Sequence, residues 1–401
     1  MCNINQQHKV RLSSIYENYF DDYLANPKYP VSKETLKAVN KTIACRTSRI
    51  GVNVYQCPEC SDKKYVYRSC KNRFCPRCGY TDTQKWAQAM TGKIADCGHH
   101  HIVFTLPASL RFISRRNKDK VHNLLLRSAA ETMIDWFNAK YKILPGIMNV
   151  LHTAGSDQKY HPHVHMLCSA GGISNLEKFK NLPDKWYLIN QRFLAKKFRW
   201  HFEKGLFELH VNKEIDTPYP TLLQFKTFIK QVNQQDWIVK VQPPLKKADD
   251  IINYVGRYTK RPCISEHNIL SDKNGVIKIR HKDYKNTYPS GKPKLKVIEL
   301  SYRDFFGRLF EHVPSKGFRL VRYYGLYSNR WINKVPRELK SKPNKKEYWR
   351  DYQIKKTGID PLICPCCNKE MILVQEYYDQ RTRWIRKELK NKIPGHWPLA
   401  V

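Results

Sequence analysis

The chain predicts an α+β fold. Three observations carry that reading: short apolar runs with strand character, longer stretches with apolar residues at helical spacing, and an early group of cysteines in metal-ligand spacing. Residues 1–44 predict helix, with Ile15, Tyr19 and Tyr23 recurring at four-residue intervals. Residues 45–80 hold six cysteines. Residues 101–106 predict a buried strand closed by Pro107, which cannot donate to a β-ladder. Residues 118–140 predict an amphipathic helix with Val121, Leu124, Leu125, Ala129, Met133, Ile134 and Phe137 on one broad face. Strands over 147–153 and 163–169 flank a turn-like stretch, 155–160, and so predict an antiparallel pair.

Helices are expected over 190–206 and 221–237, a strand over 237–241, and a helix over 248–260. Further strands are expected at 277–281, 297–300 and 319–324, with a helix over 302–312 between the last two. Beyond about residue 330 the chain becomes Lys-rich and is punctuated by proline, as in residues 340–346. This divides the chain into a helical and zinc-binding part (1–95), a catalytic part (96–330) and a basic C-terminal extension (331–401).

Composition limits the function. Apolar residues make up 41% of the 401, so a core is feasible and disorder is excluded for most of the length. Lys and Arg number 72 against 35 acids, a formal charge of +37. An excess of that size implies a polyanionic partner, most simply DNA or RNA, bound largely through counterion release. No run of eighteen apolar residues occurs and the start lacks an apolar signal core, so a cytoplasmic, nucleoid-associated protein without membrane contact is expected. Thirteen cysteines in such a compartment read as metal ligands and reduced thiols.

Cys57-Pro58-Glu59-Cys60 and Cys75-Pro76-Arg77-Cys78 form two Cys-x-x-Cys knuckles separated by residues 61–74. Two knuckles complete a tetrahedral four-thiolate shell, so Cys57, Cys60, Cys75 and Cys78 are expected to hold a structural Zn²⁺. Cys45 and Cys70 lie nearby, and either can replace an assumed ligand. Arg68, Lys71, Arg73 and Arg77 interleave with these cysteines and are candidate DNA-phosphate contacts. Cys364-Pro365-Cys366-Cys367 is a further knuckle with no evident partner in the sequence, which leaves a second zinc site open.

His163-Val164-His165 places two imidazoles on one face of a strand, because strand side chains alternate. That arrangement suits two ligands to one divalent ion, Mg²⁺ or Mn²⁺, completed by phosphate and water oxygens. His152, on the neighbouring strand, is the first candidate for a third ligand, with Gln158 and His161 as alternatives. Tyr254-Val255-Gly256-Arg257-Tyr258 puts two tyrosines on one helical face. With 24 tyrosines in the chain, a packed aromatic pair is the competing reading. A tyrosine nucleophile suits strand transfer, because a phosphotyrosine conserves the bond energy of the phosphodiester. Arg257, Lys260 and Arg261 are placed to neutralise phosphate.

Taken in order, these residues resemble a known family. Ala44-Cys45-Arg46-Thr47, the cysteine knuckles with residues 69–78, Val103-Phe104-Thr105-Leu106-Pro107, His152-Thr153, the histidine run 161–165, Tyr254 to Tyr258, and the stretches 316–319 and 322–325 together span residues 40–330. The chain resembles two-tyrosine rolling-circle transposases of the HUH superfamily, of the insertion sequence ninety-one type. The resemblance implies a zinc-binding domain followed by an HUH-type catalytic domain similar to relaxases and replication initiators, an antiparallel sheet flanked by helices. It implies that His163 and His165 bind metal and that Tyr254 and Tyr258 are nucleophiles. The implied activity is nicking of single-stranded ends of a mobile element, with the host replication machinery extending the freed 3′ hydroxyl. Alternatives are a plasmid rolling-circle replication initiator and a non-catalytic zinc-finger nucleic-acid-binding protein. A cupin-type metalloenzyme is disfavoured by the long helices.

Overall fold

The structure is a computed structural model and describes residues 10–78, 86, 89–90, 93–174, 178–182, 190–242, 245, 263–332, 349–380 and 383–388. The predicted helix over 248–260, with Tyr254, Arg257, Tyr258 and Lys260, lies outside the described residues, as does Arg261.

A central antiparallel sheet organises the molecule. Its strands are β3 (His99–Thr105), β4 (Ile143–Ala154), β5 (Tyr160–Ser174), β6 (Phe179–Asn181), β7 (Ile238–Val241) and β11 (Val321–Gly325). They run in the order β11-β4-β5-β3-β7, with β6 also paired to β5. The expected pair of strands is the β4–β5 hairpin, longer at both ends than the apolar runs alone indicate. Its turn closes through Gly155 N–H to the Lys159 carbonyl at 2.9 Å, with Gln158 at φ 65°.

Alternation gives the sheet two unlike faces. Ile102, Phe104, Leu151, Val164 and Met166 face one side. That side is covered by α4 (Lys118–Tyr141), α5 (Gln191–Val211) and α6 (Leu222–Val232). The predicted stripe of α4 is buried as expected, with Ile134 only partly covered. The α4–α5 crossing is close because Gly205 has no side chain: a Cβ there would stand 2.3 Å from Leu124 Cδ1. The predicted helix over 221–237 is shorter than expected. It begins with a Thr221–Gln224 capping box and stops at Val232, capped by Asn233. The short helix α3 (Arg111–Arg116) precedes α4.

Two further layers flank this core. The hairpin-like sheet β8 (Ile269–Lys273), β9 (Val276–Thr287), β10 (Pro293–Ser301) leads into α7 (Tyr302–Phe310). The N-terminal helices α1 (Leu12–Ala25) and α2 (Lys33–Ile43) share a core with it. Tyr16, Phe20 and Tyr23 of α1 pack around Phe306 and Phe310, and Tyr19 stacks on Tyr302 with ring centres 5.0 Å apart.

The third sheet is the least local. β1 (Val52–Gln56) pairs with β2 (Lys63–Tyr67) on one side and with β12 (Ile372–Gln380) on the other. β13 (Arg383–Glu388) completes the order β13-β12-β1-β2. The described C-terminal residues, which also include α8 (Trp349–Thr357), therefore build onto the N-terminal module. Arg68 reinforces the join with an ion pair to Glu376 at 3.2 Å. Among the described residues no helix is long and apolar enough to cross a membrane.

Candidate metal centres

On the second face of the central sheet the register gathers imidazoles. His152 of β4 stands directly opposite His163 of β5, and His165 follows on the same face. Their ligand nitrogens all lie within 4.8 Å of one another. His163 Nε2 and His165 Nε2 are 3.1 Å apart, and the His152 ring centre is 4.6 Å from that of His165.

The surrounding hydrogen bonds decide which nitrogens carry lone pairs. The His161 carbonyl accepts from His163 Nδ1–H at 2.7 Å, which leaves His163 Nε2 bare when the ring is neutral. Gln242 Oε1 lies 3.0 Å from His101 Nδ1, and His101 Nε2 lies 2.8 Å from His165 Nδ1. An amide oxygen only accepts, so His101 donates from Nδ1 and accepts at Nε2. His165 then donates from Nδ1, which leaves its Nε2 unprotonated when the ring is neutral. Burial keeps these rings neutral, pushing His163 down to about 3, His101 to about 4 and His165 well below the ordinary range. Two facing lone pairs cannot hydrogen-bond each other. They can share a cation: nitrogens each about 2.1 Å from one ion at a right angle lie about 3.0 Å apart.

His161 points to a different partner, with its Nδ1 2.6 Å from Arg111 Nη2. Gln158 is also engaged elsewhere, donating from Nε2 to the Cys263 carbonyl at 2.8 Å. His152 is thus the candidate that the geometry groups with His163 and His165. Sequence reading missed Arg111, His101 and Gln242. The run His99-His100-His101 on β3 was a visible signal for one of them. Lys240, exposed on β7, also sits in register with Val103 and His165 on this face.

The cysteines require a correction. Cys57, Cys60, Cys75 and Cys78 do not form one shell; they are divided between two. Cys45, Cys70, Cys75 and Cys78 gather at one place, with Cys78 Sγ 3.2 Å from Cys45 Sγ and 3.6 Å from Cys70 Sγ. Cys57 and Cys60 gather instead with Cys364 and Cys367. The reason is the β1–β2 hairpin. Cys57 and Cys60 form its tip, while Cys45 and Cys70 flank its open end, and five residues of strand separate the ends by about 17 Å. The first shell fits zinc: four thiolates about 2.3 Å from one ion stand about 3.8 Å apart.

The basic residues of this module differ in their surroundings. Arg68 donates to Asn53 Oδ1 at 2.9 Å besides pairing with Glu376. Arg77 donates to the Cys45 carbonyl at 2.9 Å. Arg73 is half-buried, and burial holds its guanidinium down to about 10. Lys71 is exposed, at φ 51°.

Two family models match the chain. Residues 15–106 match one described as "Transposase zinc-binding domain", and residues 146–334 match one described as "Putative transposase". The chain belongs to the transposases of the insertion sequence ninety-one type. Among its relatives, "Putative transposase y4qJ" of Sinorhizobium fredii is 27% identical over 92% of this chain and 95% of that protein. "Transposase for insertion sequence element IS801" of Pseudomonas savastanoi pv. phaseolicola is 29% identical over 84% of this chain and 82% of that protein. No solved structure matches this transposase. The first thiol shell lies wholly inside the matched zinc-binding region, and all three histidines lie inside the matched transposase region.

Proposed function

We propose that this transposase nicks single-stranded DNA at the ends of its element through a tyrosine nucleophile, and transfers the strand by rolling-circle transposition. The observation that carries the reading is the convergence of His152, His163 and His165 on one face of the sheet, their ligand nitrogens all within 4.8 Å of one another. A Mg²⁺ or Mn²⁺ ion held there would polarise the scissile phosphate and offset charge in the transition state. Three nitrogen donors leave coordination positions for phosphate and water oxygens.

The chain's own residues do the rest. The phenol oxygen of Tyr254 or Tyr258 attacks phosphorus, its proton passing to solvent. The bond from phosphorus to the 3′ oxygen breaks, leaving a 5′-phosphotyrosine, and the departing oxygen takes up a proton as a free 3′ hydroxyl. Two tyrosines allow two linked cleavages. The described residues bracketing that stretch are Leu245, bonded to His99 on β3, and Cys263, bonded to Gln158 in the turn joining β4 and β5. Leu245 is thus attached to the strand beside β5, and Cys263 to the turn that joins the two histidine-bearing strands. Arg111, beside His161, is a phosphate-binding group at the edge of the site, and Arg257, Lys260 and Arg261 follow the tyrosines in sequence. The zinc module and the net charge of +37 supply binding to the element ends, with Lys71 the most accessible of its four candidate contacts. The full-length transposase relatives favour this over a plasmid replication initiator.

The test incubates the full chain with labelled single-stranded element ends and Mn²⁺. A denaturation-resistant protein–DNA adduct is expected. Tyr254→Phe combined with Tyr258→Phe abolishes it; a full adduct from the double variant would overturn the nucleophile assignment.

A further inference from the structure

We propose that Cys57, Cys60, Cys364 and Cys367 hold a second zinc ion, one that clasps the C-terminal strands to the N-terminal module. Two of the ligands, Cys364 and Cys367, lie beyond both regions matched by the family models. The four thiols converge, with Cys57 Sγ 3.3 Å from Cys367 Sγ and Cys60 Sγ 3.5 Å from Cys364 Sγ and 3.8 Å from Cys367 Sγ. These separations approach the edge of a tetrahedral zinc–thiolate shell, about 3.8 Å.

The backbone supplies an independent argument, because the two knuckles share one conformation. In the first, Cys57 N–H donates to the Asp62 carbonyl at 2.9 Å and Ser61 N–H to the Cys57 carbonyl at 3.1 Å. In the second, Cys364 N–H donates to the Lys369 carbonyl at 2.8 Å and Asn368 N–H to the Cys364 carbonyl at 3.0 Å. The residue after each second ligand is left-handed, Ser61 at φ 61° and Asn368 at φ 58°. Serine occupies that region only at a cost, and both turns aim their paired thiols at the same point. The pairing of Gln56 with Ile372 hangs both knuckles from the same end of the sheet.

Asp62 and Cys366 also approach Cys364. The four-thiolate set is the better zinc site, because it offers soft donors in a closed shell. Cys366 is exposed and Cys60 is exposed as well, which makes the pair an internal control. The clasp joins positions 310 residues apart, so it forms only on a chain carrying both ends. The N-terminal module of this transposase would then be complete only in the full-length protein.

The experiment uses the purified full chain. Native mass spectrometry is expected to find two zinc ions per chain. Alkylation under native conditions is expected to label Cys366 rapidly and Cys60 at least tenfold more slowly, with the difference lost after a strong zinc chelator. Cys364→Ser combined with Cys367→Ser is expected to bind one zinc, and Cys366→Ser two. One zinc in the wild-type chain, or Cys60 labelling as fast as Cys366 with or without chelator, would overturn the clasp. A disulfide between the knuckles would show as thiols missing under denaturing conditions, and it would overturn the clasp equally. If the double serine variant loses both zincs by misfolding, the wild-type labelling decides.

Discussion

The histidine centre and the thiol shells are both gatherings of metal-binding side chains, and they are built in opposite ways. The histidines come from one hairpin, placed on a common face by sheet register. Three donors converge, and a hydrogen-bonded chain from Gln242 through His101 reaches back to His165. The thiol shells take four donors each, from segments separated by loops and, in one case, by most of the chain. A shell closed by four thiolates has no position for substrate, so it stabilises a fold. A three-nitrogen site backed by oriented imidazoles leaves positions open, and this is the arrangement chemistry requires. The difference separates a centre suited to reaction from centres suited to architecture.

That contrast breaks most sharply at the ligands themselves. His163→Ala is expected to slow single-turnover cleavage by about a thousandfold or more, equivalent to several kcal/mol of lost transition-state stabilisation. Its thermal midpoint should stay within a few degrees of wild type, because the side chain is half-buried and sits at the sheet surface. Cys75→Ser should do the reverse. Cys75 is fully buried, and its loss opens a shell whose zinc contributes folding energy, so one zinc and the cooperative melting of the module disappear together. Calorimetry and cleavage rates on the two variants check both halves. If His163→Ala melts as Cys75→Ser does, the division between reactive and architectural centres is wrong.

The same contrast explains what could be read from sequence. The β4–β5 pair and His152 facing His163 follow from period-two alternation and one short turn, so the grouping of histidines was legible. The thiol shells were not. Spacing suggested that the two nearest knuckles share an ion, but a five-residue strand holds Cys57 and Cys60 away from Cys75 and Cys78. Nothing in residues 57–60 announces that β12 will lie beside β1, because strand pairing across 300 residues is a property of packing. Cys364-Pro365-Cys366-Cys367 repeats the Cys-Pro-x-Cys pattern of both N-terminal knuckles, so it marked a third knuckle without indicating which cysteines it would join. Arg68 shows the same limit. Its place among the cysteines suggested phosphate, yet its guanidinium is engaged by Asn53 and Glu376.

A smaller effect is expected one step back from the histidine ligands. His101 is a positioning residue: it accepts from His165 Nδ1–H and so keeps the His165 proton on Nδ1. Its replacement by Phe removes that acceptor while keeping a ring in the buried space. Affinity for Mn²⁺ should fall by about 10–100-fold, as is usual for such supporting partners. Cleavage should recover at saturating Mn²⁺, and the zinc count should not change. Unaltered Mn²⁺ affinity, measured by titration calorimetry, would show that the hydrogen-bonded chain does not set the tautomer of His165.

The smallest effect concerns an imidazole that belongs to neither kind of centre. His122 of α4 is buried, and its Nε2 lies 2.8 Å from the Tyr160 hydroxyl, which also meets Ser114 Oγ at 2.8 Å. Burial, helped by the nearby Lys118 charge, pushes its pKa from the ordinary 6.5 down to about 3. The unfolded chain therefore binds a proton between those values that the folded chain refuses. His122 contributes its full stability above pH 6.5, and that contribution is lost as pH falls toward 3. The slope is about 1.4 kcal/mol per pH unit for one such proton. His122→Gln keeps a polar partner for Tyr160 but cannot be protonated. Its urea midpoint should decline less than that of wild type between pH 7 and pH 4.5, while His99 and His312, each held near 4 by burial, sustain the remaining decline. Equal declines in the two proteins would mean that His122 is solvated well enough to titrate normally. The buried neutrality of the imidazoles could then no longer be treated as a general property of this sheet and its covering helices.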